Sequence, residues 1–597
     1  MIRTAPQRRT GRLAPAGAAP PPAPGAPLWR VGTMPLPLPG LPAAAGPGHR
    51  ADAPEVRARA RCSPGAWLRR PVVASVLLAA VVQAVWALCF ATNGGDLAAQ
   101  YAWTQFATAH PGSAYDLAWY GGMHPVNYSV LTPYLMSWLG VRTTGVLSGT
   151  LSAALLARLL ERSGIDRPLL PALSGAAALA CDIVSGRITF GIGALFALAA
   201  VLVVYEQRGT PRVRIAAAGL LGVLATLASP VDGLFLLVAA PALFLTGRRR
   251  AACALAVGPP LVVGTTTLLF PFYGVQPYDL TELALVLATA LPIAVWAPRS
   301  WPAVRVGTWT YVLGNVLTLL IPSPIGSNVE RLSLLFAAPL LLAAARLARG
   351  RRAVVLWTAC AVALSWQTAQ PVVDLIGAAP ATGWTQYAKP LGAELDRLGA
   401  DRARVEVVGA DSHVEASTLT PYVELARGWN RQVDLARNPL FYAGRLTPTA
   451  YHDWLRTWAV GYVVLPRTTI DYGSAAEGRL VAAGESWLQP VWRDAHWAVY
   501  RVAGAVPLVS APATVVKAGE AQLTLRVPTP GTTVVRVVWS PWLSVLDGGA
   551  GCLAPDGNWT RLTTRTAGTF RIGATYTLPR GTPCAAPTRT GRRPAGP

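Results

Sequence analysis

Between residues 71 and 370 the chain is built from successive apolar runs, each close to the length of a membrane-crossing helix. A helix needs about 20 predominantly apolar residues to cross the hydrocarbon core. The runs fall near 71–91, 143–160, 168–185, 187–205, 214–229, 232–246, 251–270, 280–297, 306–321, 330–347 and 353–370. Only 14% of all residues are charged, against roughly 25% in soluble proteins. A backbone in lipid must satisfy its own hydrogen bonds, which leaves a polytopic α-helical bundle as the fold for this region. The net charge of +23 does not indicate nucleic acid, because the basic residues sit in a proline-rich tail and in short loops between runs.

Those loops predict an orientation. Placing residue 70 inside makes the inner connections "ARLLERSGIDRP", "EQRGTPRVR", "GRRR", "APRSWPAVR" and "RLARGRR", all rich in arginine. The alternate connections carry Arg142, Arg187 and Arg331 alone, which is the positive-inside pattern. Carboxylates lean the other way, with Asp96, Asp116, Asp182, Asp232, Asp279, Glu282 and Glu330 on the outer side. The expected protein lies in the plasma membrane, with about 11 spans, N-terminus inside and C-terminus outside.

Residues 1–70 ("APAGAAPPPAPGAP", "RARARCSPGAWLRR") lack apolar periodicity and read as a disordered cytoplasmic tail, within which Met34 is an alternative start. The membrane region is expected over 71–370, with a first outer loop at 92–142 that ends in a short interfacial helix over 127–140. Residues 371–505 mix strand patterns ("ARVEVVGA", "GYVVLP") with helical ones ("TAYHDWLRTWA") and predict an extracytoplasmic α/β module. From 506 to 597, short alternating runs broken by Pro and Gly predict a small β-sandwich-like module. Cysteines form no CxxC pair. Cys552 and Cys584 fall together in the last module, where an oxidising compartment would favour a disulfide.

Three stretches, "NGGDLAAQYAW" (93–103), "YGGMHPVNYSVLTPYLMSWLG" (120–140) and "RTTGVLSGTLSAALLARLLERSG" (142–164), resemble the GT-C membrane glycosyltransferases. In general build the chain also looks like actinobacterial multi-spanning membrane proteins. The resemblance is specific over 71–165, looser to 370 and weak beyond. It implies transfer of a sugar from a polyprenyl-phosphate carrier to an envelope glycan, lipid or protein acceptor, with Asp96 in the position of the catalytic carboxylate. Asp96 then serves as general base, or helps hold a divalent metal, Mg or Mn, that neutralises the leaving phosphate. Many members carry two acidic residues close together. Here Asp96 stands alone, and the next acidic residue, which any metal site would draw on, is Asp116.

Each candidate has a plainer alternative. Asp96 after Gly-Gly is also a helix N-cap. His124, with Asn127 and Tyr128 in "GGMHPVNY", is placed to meet phosphate or acceptor, or simply to fix the turn before Pro125. Glu330 and Arg331 open a span at the outer surface; the arginine suits a bidentate grip on phosphate, or a pair with Asp182 or Asp232. Asp182, Arg187 and Asp232 read as a structural network. The aromatics of "ELARGWNRQVDLARNPLFY" and "WRDAHWAVYRV" suit sugar stacking or a domain core. Walker, Rossmann and nucleophile-elbow motifs do not stand out. A secondary transporter and a non-catalytic envelope scaffold are the alternative functions; the plain Ala, Leu and Val interiors of the runs disfavour the transporter.

Overall fold

The computed structural model describes residues 70–206, 208–378, 384–547 and 549–585. The tail expected over 1–70 lies outside these residues except for Arg70. The membrane region begins with α1 (Pro71–Val85), continued by a π-helical turn to Phe90. The segment after it, residues 91–140, carries α2 (Asp96–Ala109) and α3 (Thr132–Leu139). Ten more helices follow: α4 (Val141–Arg162), α5 (Leu169–Val184), α6 (Ile188–Tyr205), α7 (Pro211–Ala228), α8 (Pro230–Leu245), α9 (Arg249–Leu269), α10 (Leu280–Trp296), α11 (Pro302–Leu320), α12 (Arg331–Ala345) and α13 (Arg351–Ala378). A helix therefore stands at each expected run. Six are long and apolar enough to cross a membrane, and α5, α8 and α10 are apolar but shorter. Within the 127–140 stretch expected to be one helix, α3 covers only Thr132–Leu139, after a 3-10 turn at Pro125–Asn127, and α13 runs on past residue 370.

The bundle has apolar buried clusters, yet some helices also turn polar residues inward and large apolar ones outward. α1 turns Ser75, Ala79 and Gln83 inward while Val81, Val85 and Leu88 are exposed. α11 buries Asn315 and exposes Trp309, Leu313 and Leu320. Apolar side chains in such numbers face a medium that welcomes them, and small or polar residues bring helices together. Gly149 shows why: a Cβ there would lie 2.4 Å from Gln83 and 2.8 Å from Ile183. Asp279 and Glu282 form a capping box that starts α10, Asp279 Oδ1 accepting from the amides of Thr281 (2.8 Å) and Glu282 (2.9 Å).

Beyond the bundle, β1 (Arg404–Val407), β2 (Glu424–Leu425), β3 (Val460–Pro466), β4 (Leu488–Arg493) and β5 (Trp497–Val502) form a mixed sheet in the order β2-β1-β3-β5-β4. Helices Trp384–Arg397, Pro448–Thr457 and Ala475–Ala483 accompany it. Seven strands follow: β6 (Thr514–Ala518), β7 (Gln522–Val527), β8 (Gly531–Val538), β9 (Leu543–Val545), β10 (Gly551–Asp556), β11 (Trp559–Thr564) and β12 (Gly568–Ala574). They make two sheets, β10-β11-β8 and β6-β7-β12-β9. Leu523, Leu525 and Val527 of β7 point inward at the period-two spacing of a half-buried strand. Cys552 and Cys584 are joined in a disulfide.

The segment between α1 and α4 is the piece that joins these modules. Ala114 N–H donates to Ala574 O, Leu117 N–H to Glu520 O, and Val538 N–H to Gly121 O, all from the β-rich module. On the other side Leu425 N–H donates to Ala118 O, and Arg437 donates to the carbonyls of Tyr120 and Gly122 at 2.7 Å each. Trp119 is buried in the α/β core, its indole N–H on Ala416 O at 3.1 Å. Gly428 passes beneath it so closely that a Cβ would come within 2.3 Å of the indole. Gly428→Val should therefore destabilise the protein by about 1–3 kcal/mol, the cost of overpacking a filled core, read as a lower thermal midpoint in detergent. A midpoint equal to wild type would show that this contact relaxes freely.

Candidate functional site

The C-terminal end of α1 and its π-helical turn lead through Thr92–Gly95 into α2. Gly95, at φ 63°, occupies the N-cap of α2, and Asp96 is its first residue. The cap expected of Asp96 is therefore made by glycine. The Gly95 N–H donates to Ser412 O (2.7 Å), and its carbonyl accepts from the Trp429 indole (3.0 Å). Asn93 is held by Arg142, Nη2 to Oδ1 at 3.1 Å. Both sides of this turn are thus fixed by other elements, while the Asp96 carboxylate accepts no hydrogen bond among the described residues and is 41% exposed. It sits in the first turn, where the helix dipole favours a negative charge.

Its neighbour is Arg187. The turn before α6 brings Gly186, at φ 81°, against α2: a Cβ there would lie 3.1 Å from the Leu97 amide nitrogen and 3.3 Å from Asp96 Cβ. Arg187 then faces Asp96 (3.8 Å), Asp182 at the end of α5 (3.9 Å) and Asp374 near the end of α13 (3.8 Å). These are charge contacts longer than hydrogen bonds. Arg187 Nε and Asp374 Oδ2 are buried without a hydrogen-bond partner, and Asp232, at the start of α8, has its Oδ2 in the same condition. Buried polar groups left unsatisfied in a folded protein call for a reason beyond packing.

Arg331, the first residue of α12, lies over the Phe190 ring at 5.0 Å. Among the described residues it forms no ion pair, so the pairing considered with Asp182 or Asp232 is not made. Glu330 closes a short 3-10 turn before it. Tyr128 stacks on Trp103 at 5.6 Å, and its hydroxyl lies 3.5 Å from Thr189 Oγ1, which donates to Gln100 Oε1 at 2.7 Å. Burial raises the Tyr128 phenol pKa, with the Asp96 charge adding to the shift and Arg331 opposing it. Asp96, Arg187, Arg331 and Tyr128 thus share one electrostatic neighbourhood.

Other candidates are used elsewhere. His124 is buried, its Nδ1 2.7 Å from Ala114 O and its Nε2 3.0 Å from Ser540 Oγ, with its ring between Tyr115 and Phe270. Both nitrogens are engaged in joining the first outer loop to the β-rich module. Asn127 reaches only Pro271 O, at 3.4 Å. Asp116 is buried and accepts from the Ala118 amide at 2.8 Å; burial, then the Glu520 charge, hold its carboxyl well above the usual range. The outer-domain aromatics are largely interior: Trp497 is core, and Trp429 stacks on His413 at 3.5 Å while holding Gly95.

The residues around Asp96 do not fit a divalent cation. The Arg187 guanidinium occupies the centre of the carboxylate cluster, Asp116 faces a different set of charges, and no metal-holding group of three or more His, Cys, Asp or Glu occurs among the described residues. Asp374 was not anticipated. It carries the same signal as Asp182, a lone carboxylate near the end of an apolar helix, but lies beyond the expected end of the last span. Ser412 had no signal, and Trp429 stood only among the aromatics read for sugar stacking or a domain core; the Gly95 that both hold is more than 300 residues distant.

A family model described as a domain of unknown function (DUF8823) matches residues 510–589, the β-rich module. No curated protein matches the chain significantly. Among solved structures, the arabinofuranosyltransferase AftD from Mycobacteria is similar at 18% identity and a TM-score of 0.40, over 74% of this chain and 42% of its own. The oligosaccharyltransferase AglB from Archaeoglobus fulgidus, solved with an inhibitory peptide and a dolichol-phosphate, is similar at 12% identity and a TM-score of 0.40, over 67% of this chain and 70% of its own. The alignment spans less than half of AftD.

His124 yields a pH prediction. Burial pushes its pKa down to about 4 from an ordinary 6.5. The folded protein holds it neutral while the unfolded chain protonates it, so its contribution is complete above pH 6.5 and is lost as pH falls toward 4. The amount is about 3 kcal/mol. Melting wild type and His124→Gln from pH 7 to pH 4 should show a steeper acid loss for wild type; parallel curves would contradict the assignment.

Proposed function

We propose that the chain is a GT-C-like membrane glycosyltransferase. It moves a sugar from a polyprenyl-phosphate carrier to an envelope glycan, lipid or protein acceptor at the extracytoplasmic face of the plasma membrane. The observation that carries this reading is the Asp96 carboxylate: free of hydrogen bonds among the described residues and partly exposed, on a turn whose backbone is held from both sides. A capping or core aspartate has no need of that arrangement, whereas a general base must reach an incoming hydroxyl. The outward-facing apolar surface of α1 and α11 supports a place in the bilayer. The Cys552–Cys584 disulfide supports an oxidising compartment for the β-rich module.

In this reading the acceptor hydroxyl gives its proton to Asp96 as its oxygen bonds to the anomeric carbon of the sugar. The bond from that carbon to the phosphate oxygen breaks, and the phosphate leaves on its lipid. Arg331 has guanidinium donors to offer the departing phosphate, with Phe190 beneath it and Tyr128 close by. Arg187 tempers the mutual repulsion of Asp96, Asp182 and Asp374 and thereby keeps Asp96 in place.

The experiment is complementation of a deletion strain, with the polyprenyl-phosphate-sugar pool and the envelope sugar composition as readouts. Asp96→Asn should lower transfer by about 10²–10⁴-fold at normal protein level and thermal midpoint, with the lipid-linked sugar accumulating. Arg331→Gln should impair transfer, and Arg331→Lys should restore only part, since an ammonium lacks the planar fork. Full complementation by Asp96→Asn would remove the catalytic role and leave the scaffold reading. Chelation should leave transfer intact, since the donor set around Asp96 does not suit a metal.

A further inference from the structure

The arginine-rich end of the bundle, opposite Asp96, holds a second constellation. α6 and α8 both start at the Asp96 end, at Ile188 and Pro230, and finish at Tyr205 and Leu245, so their far ends meet the turn that leads into α9. There a cavity of about 360 Å³ is lined by Arg214, Arg248, Arg249 and Arg250. Beside it lies a cleft of about 580 Å³ between α4, α6, α8, α11 and α12. Its lining is mainly Leu, Val, Ala and Phe, and it reaches from Trp301 toward Leu332. Arg248 borders both. Each volume is within the range of about 300–1,000 Å³ common for ligand sites.

The charges here are not spent on carboxylates. Arg158 and Arg162, on the neighbouring α4, share Glu206. None of Arg214, Arg248, Arg249 and Arg250 forms an ion pair among the described residues. Arg248 donates to Val204 O at 3.1 Å and lies 4.3 Å over the Tyr205 ring, which uses one of its five N–H groups and fixes its direction. Arg214 donates to Glu206 O, yet its Nε is buried with no partner. Arg249 lies over Phe244 at 5.5 Å. A basic cavity that opens onto a deep apolar cleft matches a molecule with an anionic head and a hydrocarbon chain.

We infer that this end of the bundle binds an anionic phospholipid of the surrounding bilayer, with its phosphate on the Arg214/Arg248/Arg249/Arg250 cavity and an acyl chain in the cleft. Arginine clusters between helices at a membrane face are suited to such headgroups. The site is on the opposite side of the bundle from Asp96 and is independent of the proposed transfer reaction.

Native mass spectrometry of the full-length protein in detergent, titrated with phosphatidylglycerol or phosphatidylcholine, tests this. Phosphatidylglycerol should bind selectively, and Arg248→Ala should weaken it about fivefold, with Arg248→Ala/Arg250→Ala weakening it further. Gly307 lines the cleft, and a Cβ there meets only Ala242 at 3.6 Å. Gly307→Leu should therefore fill the cleft and weaken the lipid, while Gly307→Ala should not. Equal affinity for phosphatidylcholine, an unaltered affinity in Arg248→Ala, or undiminished binding to a folded Gly307→Leu would each overturn the inference. So would displacement by millimolar inorganic phosphate, which marks a free-anion site, or stronger binding of polyprenyl phosphate, which marks a carrier site.

Discussion

Everything outside the bundle depends on the backbone of residues 113–124. A buried loop ordinarily leaves amides and carbonyls without water or partners, at a cost comparable to a lost hydrogen bond for each. Here Ala114, Leu117, Ala118, Tyr120, Gly121 and Gly122 exchange those bonds with two separate modules. Tyr120, Gly121 and Gly122 all have positive φ, at 55°, 69° and 117°, and Gly122 passes where a Cβ would collide with Tyr115 at 2.2 Å. The strained turn is kept because Tyr120 donates its hydroxyl to Gly428 O and Arg437 gathers the carbonyls on either side of Gly121. The segment that leaves the membrane beside Asp96 is thereby a structural member of the outer domains.

That arrangement explains how a site at a membrane edge is kept rigid. Gly95 is gripped through its N–H by Ser412 and through its carbonyl by Trp429, and the Trp429 ring is stacked on His413. His413 lies between Asp471 (3.5 Å) and Glu415 (3.8 Å), which raise its pKa against the opposing effect of burial. Arg431 in turn pairs with Asp471 at 2.9 Å. From Asp471 to Gly95 the support runs through side chains of the α/β module, so the position of Asp96 relative to the bundle is set from outside the bilayer. Arg187 supplies the opposing hold from the helices.

Charge is divided between the two ends of the bundle. At the Asp96 end, Asp96, Asp182 and Asp374 surround Arg187, with Arg331 beside them forming no ion pair among the described residues. At the far end arginines outnumber carboxylates, and among the described residues Arg158 and Arg162 are the ones paired with Glu206. The two ends of the bundle thus differ in charge, one acidic around a central arginine and the other basic beside an apolar cleft.

The apolar helices were legible because lipid solvation acts residue by residue: a run such as 71–91 needs no partner to declare itself. The β-rich module was legible for a related reason, since period-two burial in β7 is local. Asp96 was visible as an isolated carboxylate after two glycines, but its freedom from capping depends on Gly95 taking the N-cap, which Ser412 and Trp429 stabilise from more than 300 residues away. His124, a site candidate by its place in the chain, became a buried strut because Ala114 and Ser540 meet its two nitrogens. Asp374 joined the site for an equally non-local reason, the approach of α13 to Arg187. Composition and periodicity therefore determined where the apolar helices and the strands form. Which carboxylates are free, which histidine is occupied and which arginine lacks a partner followed from long-range packing, because hydrogen bonding and charge pairing are satisfied by whatever the fold brings near.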